Sequence, residues 1–148
     1  MIAVDTNILV YAADAAAGEH HEVAKAVLGR AVATGGLVLP RQVLGEFCHV
    51  ALRKAGHAPA WVEEFVAVWG TLARVEGHNL ADIRAALRAH AAHNLPFWDA
   101  LVWAVCERHG VELLLSEDFQ DGRRLGGVTF ADPFNPANAA RLGLGRPC

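Results

Sequence analysis

The sequence lacks the features that mark several classes of protein. No apolar run approaches the roughly 20 residues of a membrane-spanning helix, so we expect no membrane span. The first charged residue is the acidic Asp5, which argues against the basic start of a secretory signal peptide. The 3 cysteines are far apart and form no Cys-x-x-Cys pair, which argues against a zinc ribbon. Such cysteine usage predicts a cytoplasmic protein in a reducing compartment.

Positive charge is also scarce. Lys and Arg number 13 against 16 Asp and Glu, and the formal net charge is −3. This balance excludes a protein held to nucleic acid by bulk positive charge. It does not exclude a nucleic-acid substrate, because a bound metal ion adds positive charge that a residue count omits. Lys25 and Lys54 are the only lysines. The excess of arginine suits bidentate phosphate contacts, and a bias in genomic base composition explains it equally well.

Apolar residues are abundant, at 53% of the chain. A chain of 148 residues with this composition is expected to form one domain around a single core. Short apolar segments alternate with helical patterns, which predicts βαβ units and an α/β fold with a mostly parallel sheet covered on both faces. The predicted strands are residues 2–4, 37–39, 71–75, 111–115 and 128–130. Pro, Asn and Gly dominate from residue 132 onward, so residues 135–148 are expected to be a loosely ordered tail.

Four carboxylates occupy positions where burial would make a lone charge costly. Asp5 and Asp118 follow predicted strands, Asp99 opens a helix, and Glu46 borders the apolar stripe of another helix. Burying an unpaired carboxylate costs several kcal/mol, and no cluster of Lys or Arg lies near these positions in sequence. A shared divalent cation would satisfy all of them, because Mg²⁺ and Mn²⁺ prefer oxygen ligands.

Each acid also has a more ordinary interpretation. Asp5 and Asp99 stand where helix N-caps are expected. Glu46 could reach solvent or pair with a neighbouring arginine. Asp118 could be a solvated loop residue, like the other acids of its loop. The combination therefore carries more weight than any one acid.

Polar and basic residues close to the acids are candidates for supporting roles. Thr6, Asn7 and Ser116 could hydrogen-bond a carboxylate or a metal-bound water, although helix capping explains the first two nearly as well. Arg123 and Arg124 follow the Asp118 loop. They could contact RNA phosphate or could be simply solvated.

The four acids belong to short motifs that follow one another in a definite order. These motifs are Asp5-Thr6-Asn7, Pro40-x-x-Val43-x-x-Glu46, Trp98-Asp99-Ala100-Leu101 and Leu114-Leu115-Ser116-Glu117-Asp118, with Asp132-Pro133-Phe134 closing the pattern. Together they resemble the PIN domain family, and more narrowly the VapC-type ribonuclease toxins of bacterial toxin–antitoxin pairs. The resemblance extends over most of the chain, from Ile2 to Phe134.

The resemblance implies a three-layer α/β/α sandwich over residues 1–134 and a Mg²⁺- or Mn²⁺-dependent endoribonuclease. It implies a homodimer that acts on RNA and is inhibited by a cognate VapB-type antitoxin protein. It also assigns metal binding and catalysis to the acids, and support to the polar neighbours: Asp5, Glu46, Asp99 and Asp118, then Thr6, Asn7 and Ser116. Glu117 and Asp121 are further acids in the same loop, which leaves its ligand set open.

Two other functions remain open at this point. A catalytically silent PIN-like module that binds RNA or protein would have the same fold. A phosphatase of the haloacid dehalogenase type also begins with a strand followed by Asp. That chemistry needs a second Asp two residues later, where this chain has Asn7.

Overall fold

A six-stranded sheet forms the centre of the molecule. The computed structural model describes residues 1–143. Strands lie side by side in the order β3-β2-β1-β4-β6-β5, and all neighbours are parallel except β5 and β6. The strands are β1 (Ile2–Val4), β2 (Leu37–Pro40), β3 (Arg74–Glu76), β4 (Leu113–Leu115), β5 (Arg124–Leu125) and β6 (Val128–Ala131).

Six helices connect the strands and cover the sheet. They are α1 (Thr6–Ala13), α2 (Glu19–Ala33), α3 (Arg41–Arg53), α4 (Pro59–Leu72), α5 (Leu80–His93) and α6 (Phe97–Arg108). Helix α1 packs on α2 and α3, α3 packs on α4, and α5 packs mainly on α6. These two groups form the outer layers, which confirms the predicted α/β/α architecture with a mostly parallel sheet. Within residues 1–143, no helix is long and apolar enough to cross a bilayer.

The core forms because the central strands carry apolar side chains on both faces. Val4, Val38, Leu114 and Phe130 are fully buried in four adjacent strands. Continuous apolar runs of this kind are typical of parallel strands with helices on both sides. The buried centre fixes the register of β1 and β4, where Val4 pairs with Leu115. Residues that follow these two strands are therefore held next to each other.

Capping residues set the position of α5 and its contact with α6. The Asn79 side chain accepts a hydrogen bond from the Asp82 amide, and Asp82 accepts one from the Asn79 amide. These two hydrogen bonds form a reciprocal capping box. Asp82 also accepts three hydrogen bonds of 2.9–3.1 Å from the Arg108 guanidinium near the end of α6. The start of α5 is thereby fastened to the end of α6.

Two predicted strand starts were wrong, and one strand was not predicted. The chain around Thr71 is helical, with the Thr71 hydroxyl bonded to the Ala67 carbonyl, and the strand begins only at Arg74. An apolar run does not by itself distinguish the end of a helix from the start of a strand. Strand β4 is shorter than predicted, beginning at Leu113. Strand β5 has two residues and is too short to show a period-two pattern.

The segment after residue 134 contacts the domain over its described part. Asn138 is buried, and its side-chain amide donates to the Asp121 carboxylate and to the Asp132 carbonyl. Leu142 is also buried in the core. These contacts connect Asn138 and Leu142 to the domain, and the loosely ordered tail over residues 135–148 stays a prediction. Residues 144–148 of that tail lie outside the described residues, and the domain boundary at 134 stays a prediction.

Candidate active site

The candidate site lies where β1 and β4 end. Asp5 directly follows β1, and Ser116 directly follows β4. The Asp5 amide donates to the Leu115 carbonyl at 2.9 Å, which extends the pairing of the two strands by one residue. The carboxyl ends of parallel strands are where open α/β sheets bind ligands. Asp5 and Ser116 therefore meet at the edge of the sheet that is formed by the carboxyl ends of its strands.

Asp5 is both a helix cap and a member of this site. Its Oδ1 accepts from the Thr6 amide at 2.8 Å, at the start of α1. Its Oδ2 accepts from the Ser116 hydroxyl, also at 2.8 Å. The side chain is only 6% exposed. The capping interpretation of Asp5 is thus correct, and it coexists with a contact that joins two strand ends.

Glu46 reaches the same place from α3. Its Oε2 accepts from the Thr6 hydroxyl at 2.7 Å, and its Oε1 accepts from Gln42 Nε2 at 2.9 Å. No Lys or Arg of residues 1–143 lies within ion-pair distance of Glu46, so the pairing with Arg41 or Arg53 that the sequence allowed is absent there. Neutral donors alone hold this carboxylate.

Asn7 and Ser116 connect Asp118 to Asp5. Asn7 Nδ2 donates to Asp118 Oδ2 at 3.1 Å and to Ser116 Oγ at 3.2 Å. Ser116 Oγ also accepts from the Asp118 amide at 3.1 Å while its hydroxyl donates to Asp5. Ser116 is buried, with 1% of the residue exposed, and its hydroxyl takes part in three of these hydrogen bonds.

Asp99 approaches from the first turn of α6. The residue at the N-cap of α6 is Pro96, so the alternative that Asp99 caps this helix is wrong. Gln42 Nε2 donates to the Trp98 carbonyl at 3.2 Å and so ties α3 to the start of α6. Gln42 was missed from the sequence, although its i, i+4 spacing to Glu46 on one helix face could have revealed it.

The pKa values of two of the acids, Asp5 and Asp99, are raised, in part by the charges of neighbouring carboxylates. The pKa of Asp5 is raised from 3.8 to about 6, and burial is the largest cause. Hydrogen bonds from Thr6 and Ser116 oppose this rise, and the charges of Asp99 and Glu46 contribute to it. Burial also raises the pKa of Asp99, with further contributions from Asp118 and Glu46. The other three acids thus all contribute to the raised pKa values of Asp5 and Asp99. Within residues 1–143, no Lys or Arg forms an ion pair with Asp5 or Asp99.

The expectation that all four acids are buried was wrong. Asp5 is buried and Asp99 is half-buried, but Glu46 and Asp118 are exposed. The edge of the sheet opens to solvent between the helix starts, so water solvates the outer carboxylates. The acids therefore form a cleft with one buried carboxylate at its base.

The donors of this cleft fit a hard divalent cation. They are carboxylate, hydroxyl and amide oxygens, which are the ligand types that Mg²⁺ and Mn²⁺ prefer. Asn7 Oδ1 is buried without a hydrogen-bond partner, which leaves an acceptor free at the cleft. Within residues 1–143, no three His, Cys, Asp or Glu side chains converge closely enough to enclose an ion as they stand. Coordination would therefore require carboxylates such as Glu46 to exchange their present hydrogen bonds for the ion.

The other acids of the loop have partners of their own. Glu117 Oε1 accepts from the Tyr11 hydroxyl at 2.8 Å. Asp121 accepts from the Asp132 amide and from the side chains of Asn135 and Asn138. Asp121 therefore holds the segment after β6 against the loop that follows β4.

The two arginines that were predicted to contact RNA reach backbone carbonyls. Arg123 Nη2 donates to the His93 carbonyl at 3.3 Å. Arg124 Nε donates to the Gly126 carbonyl at 3.1 Å, within the β5–β6 hairpin at the edge of the sheet. The contact of Arg123 and Arg124 with RNA stays a prediction.

Comparison with known proteins gives a matching family and several solved structures with a similar fold. A family model of the PIN domain matches residues 2–123. The VapC20 toxin of Mycobacterium tuberculosis, which cleaves the sarcin-ricin loop, is 24% identical with a TM-score of 0.62, over 77% of this chain and 87% of that one. A toxin–antitoxin complex from Klebsiella pneumoniae is 17% identical with a TM-score of 0.64, over 90% and 98%. No curated protein sequence matches the chain.

Proposed function

The chain belongs to the PIN domain family, and from that premise we propose that it is a divalent-metal-dependent endoribonuclease, the toxin of a VapBC-type toxin–antitoxin pair. The observation that carries this proposal is the cleft at the ends of β1 and β4. There, burial and the neighbouring carboxylates raise the pKa values of Asp5 and Asp99, and no Lys or Arg of residues 1–143 forms an ion pair with any of the four acids. A site of this kind gains most from a cation that the protein itself does not supply.

Asp5, Glu46, Asp99 and Asp118 would hold the cation. A bound Mg²⁺ or Mn²⁺ supplies an activated water and stabilises negative charge on a phosphodiester. The protein's own contribution is to position the ligands. Ser116 fixes Asp5 through its hydroxyl, Thr6 fixes Glu46, and Asn7 fixes Asp118. Second-layer hydrogen bonds of this type commonly determine the affinity of a metal site.

The toxin assignment goes beyond the family and rests on the two similar folds. One of them is a toxin that cleaves an RNA loop, and the other comes from a toxin–antitoxin complex. On this basis we assign an RNA substrate, a protein antitoxin as partner and a cytoplasmic place of action. Assembly as a homodimer is part of the same proposal.

Cleavage of RNA by matched Asp→Asn variants tests the proposal. We expect the wild type to cut a labelled single-stranded RNA with Mg²⁺ or Mn²⁺ and to stop when EDTA is added. Asp5→Asn should lose at least ~100-fold in rate, because removing one charged ligand or its transition-state partner costs several kcal/mol. Asp14→Asn is the control, since Asp14 is an exposed cap at the other end of α1.

The same assay separates the remaining alternatives. Equal cleavage by Asp5→Asn and the wild type would overturn the site. Tight RNA binding without turnover at any metal concentration would favour the non-catalytic module instead. A phosphoenzyme trapped on Asp5 would favour the phosphatase, although Asn7 stands where that chemistry needs its second Asp.

A further inference from the structure

A trough of about 330 Å³ opens from the acid cleft and runs between α1 and α3. Its volume lies at the lower end of the range of roughly 300–1,000 Å³ that is typical of small-ligand sites. Thr6, Asn7 and Asp118 line its near end, so it is continuous with the candidate site. The other lining residues are Val10, Tyr11, Val50, Lys54 and Glu117.

Helical spacing explains how the trough is built. On α3, Glu46, Val50 and Lys54 follow at intervals of four residues and share one face. The rise of about 1.5 Å per residue places the Lys54 backbone roughly 12 Å along the axis from Glu46. Lys54 is the C-cap residue of this helix. The trough therefore leads from the carboxylates, past two half-buried valines, Val10 and Val50, to a lysine.

Lys54 is a free cation at the far end of the trough. It is exposed, and it forms no ion pair with any of residues 1–143. The only other lysine, Lys25, pairs with Glu22 at 4.0 Å on α2. A lysine at the end of a helix also interacts favourably with the helix dipole, which accounts for its place but not for the trough beside it.

Tyr11 gives the trough a rigid wall. Its hydroxyl donates to Glu117 at 2.8 Å, and its ring contacts His20 and Phe134 with centroid distances of 4.8 and 5.1 Å. A wall fixed by these contacts costs little entropy when a ligand enters. An apolar floor, a fixed aromatic side chain and a terminal cation match the base, sugar and phosphate of a nucleotide.

We propose that this trough is a binding subsite for single-stranded RNA next to the cleavage site, and that Lys54 binds a backbone phosphate there. The inference rests on the proposed function for its choice of ligand. An RNA strand with its scissile phosphate at the acids places the next few nucleotides along α3. Lys54 then binds a phosphate of the same strand at a position fixed by the separation of Lys54 from Glu46 along α3.

Salt-dependent RNA binding tests the subsite, with the second lysine as a matched control. Fluorescence anisotropy of a labelled single-stranded RNA would be measured with Asp5→Asn protein, which should not cut it, and with the same protein carrying Lys54→Gln, Lys54→Arg or Lys25→Gln. Each phosphate contact with a single strand contributes about −0.7 to the slope of log affinity against log salt. Lys54→Gln should weaken binding several-fold and reduce the slope by that amount. Lys54→Arg should keep both, and Lys25→Gln should change neither.

A parallel cleavage assay on the wild-type background distinguishes failure of the subsite from failure of the proposed function. Lys54→Gln should raise KM more than it lowers kcat. Normal cleavage together with equal binding slopes for Lys54→Gln and Lys25→Gln would overturn the subsite alone. Binding that depends on Lys54 without any cleavage would support the subsite and overturn the nuclease. If neither binding nor cleavage occurs, both proposals are wrong. Thermal unfolding checks that each variant is folded.

Discussion

At the scale of single residues, Asp5 determines the behaviour of the site. It caps α1 through Thr6, accepts from Ser116, and lies beneath two further carboxylates. Burial and repulsion make its charged form unfavourable in the folded protein. The protein thus holds a destabilised charge at the place where a cation would bind, as is common at functional sites.

The pH dependence of stability follows from this destabilised charge. The folded pKa of Asp5, about 6, lies above its ordinary value of 3.8, so the folded state holds the proton more tightly. The stability that Asp5 contributes through this proton is fully present below about pH 4 and is lost as the pH rises through 6. At roughly 1.4 kcal/mol for each pH unit between the two pKa values, the loss at pH 7.5 is at most about 3 kcal/mol.

Asp5→Asn should therefore stabilise the metal-free protein at pH 7.5 but not at pH 4. Urea unfolding in EDTA at both pH values measures the effect. Asp14→Asn, which changes an exposed cap, should show little difference between the two. A stability change for Asp5→Asn that is the same at both pH values would contradict the assigned cause.

The acids could be recognised from the sequence, but their surroundings could not. Asp5, Glu46, Asp99 and Asp118 do come together, yet only Asp5 is buried. Side-chain exposure depends on how far the helix starts stand apart, which no local pattern encodes. Gln42, which links α3 to α6, also escaped notice because its role depends on a neighbour 56 residues away.

At the scale of elements, the position of each acid depends on how soon its helix or loop follows a strand. Helix α3 begins directly after β2, so Glu46 lies within its first turns, close to the sheet edge. Most helices and strands were predictable, because capping signals and apolar runs are local. The α4–β3 boundary was not, because α4 ends at Leu72 without the glycine or asparagine that often marks the end of a helix. The register of the β5–β6 hairpin was not predictable either, because it depends on tertiary pairing.

The contact of Asp82 with Arg108, which we call the α5–α6 clamp, joins the start of α5 to the end of α6. Among the contacts between elements, it has the clearest expected effect on the free energy of unfolding. Asp82 is 2% exposed, accepts from the Asn79 amide, and binds Arg108. Asp82→Ala removes one hydrogen bond of the capping box and the hydrogen bonds from Arg108, which should lower the free energy of unfolding by about 1–2 kcal/mol. Chemical denaturation measures this loss. Arg108→Lys should cost less, because lysine keeps the charge but not the fork geometry.

The clamp lies at the opposite end of α6 from Asp99, so its loss should spare the chemistry. Folded Asp82→Ala protein should retain cleavage within a few-fold of the wild type at low temperature. If Asp82→Ala protein were as stable as the wild type, the clamp would not stabilise the fold. If it were folded but inactive, the role of the clamp would not be purely structural.

At the scale of the whole molecule, the fold brings together acids that are far apart in sequence. The adjacency of β1 and β4 in the sheet joins the Asp5 and Asp118 regions, and the starts of α3 and α6 bring Glu46 and Asp99 to the same edge. The net charge of −3 conceals this concentration of negative charge. The central claim is that the four acids act as one metal-dependent unit.

The most direct test is whether the effects of removing these acids combine. Rates of RNA cleavage would be measured against Mn²⁺ concentration for Asp5→Asn, Asp99→Asn and the double variant. Residues that act as a unit lose activity non-additively, as in other catalytic sets. We expect each single variant to lose about 100-fold or more, and the double variant to lose little beyond that. Losses that multiply, or a single variant that cleaves at the wild-type rate, would contradict the account.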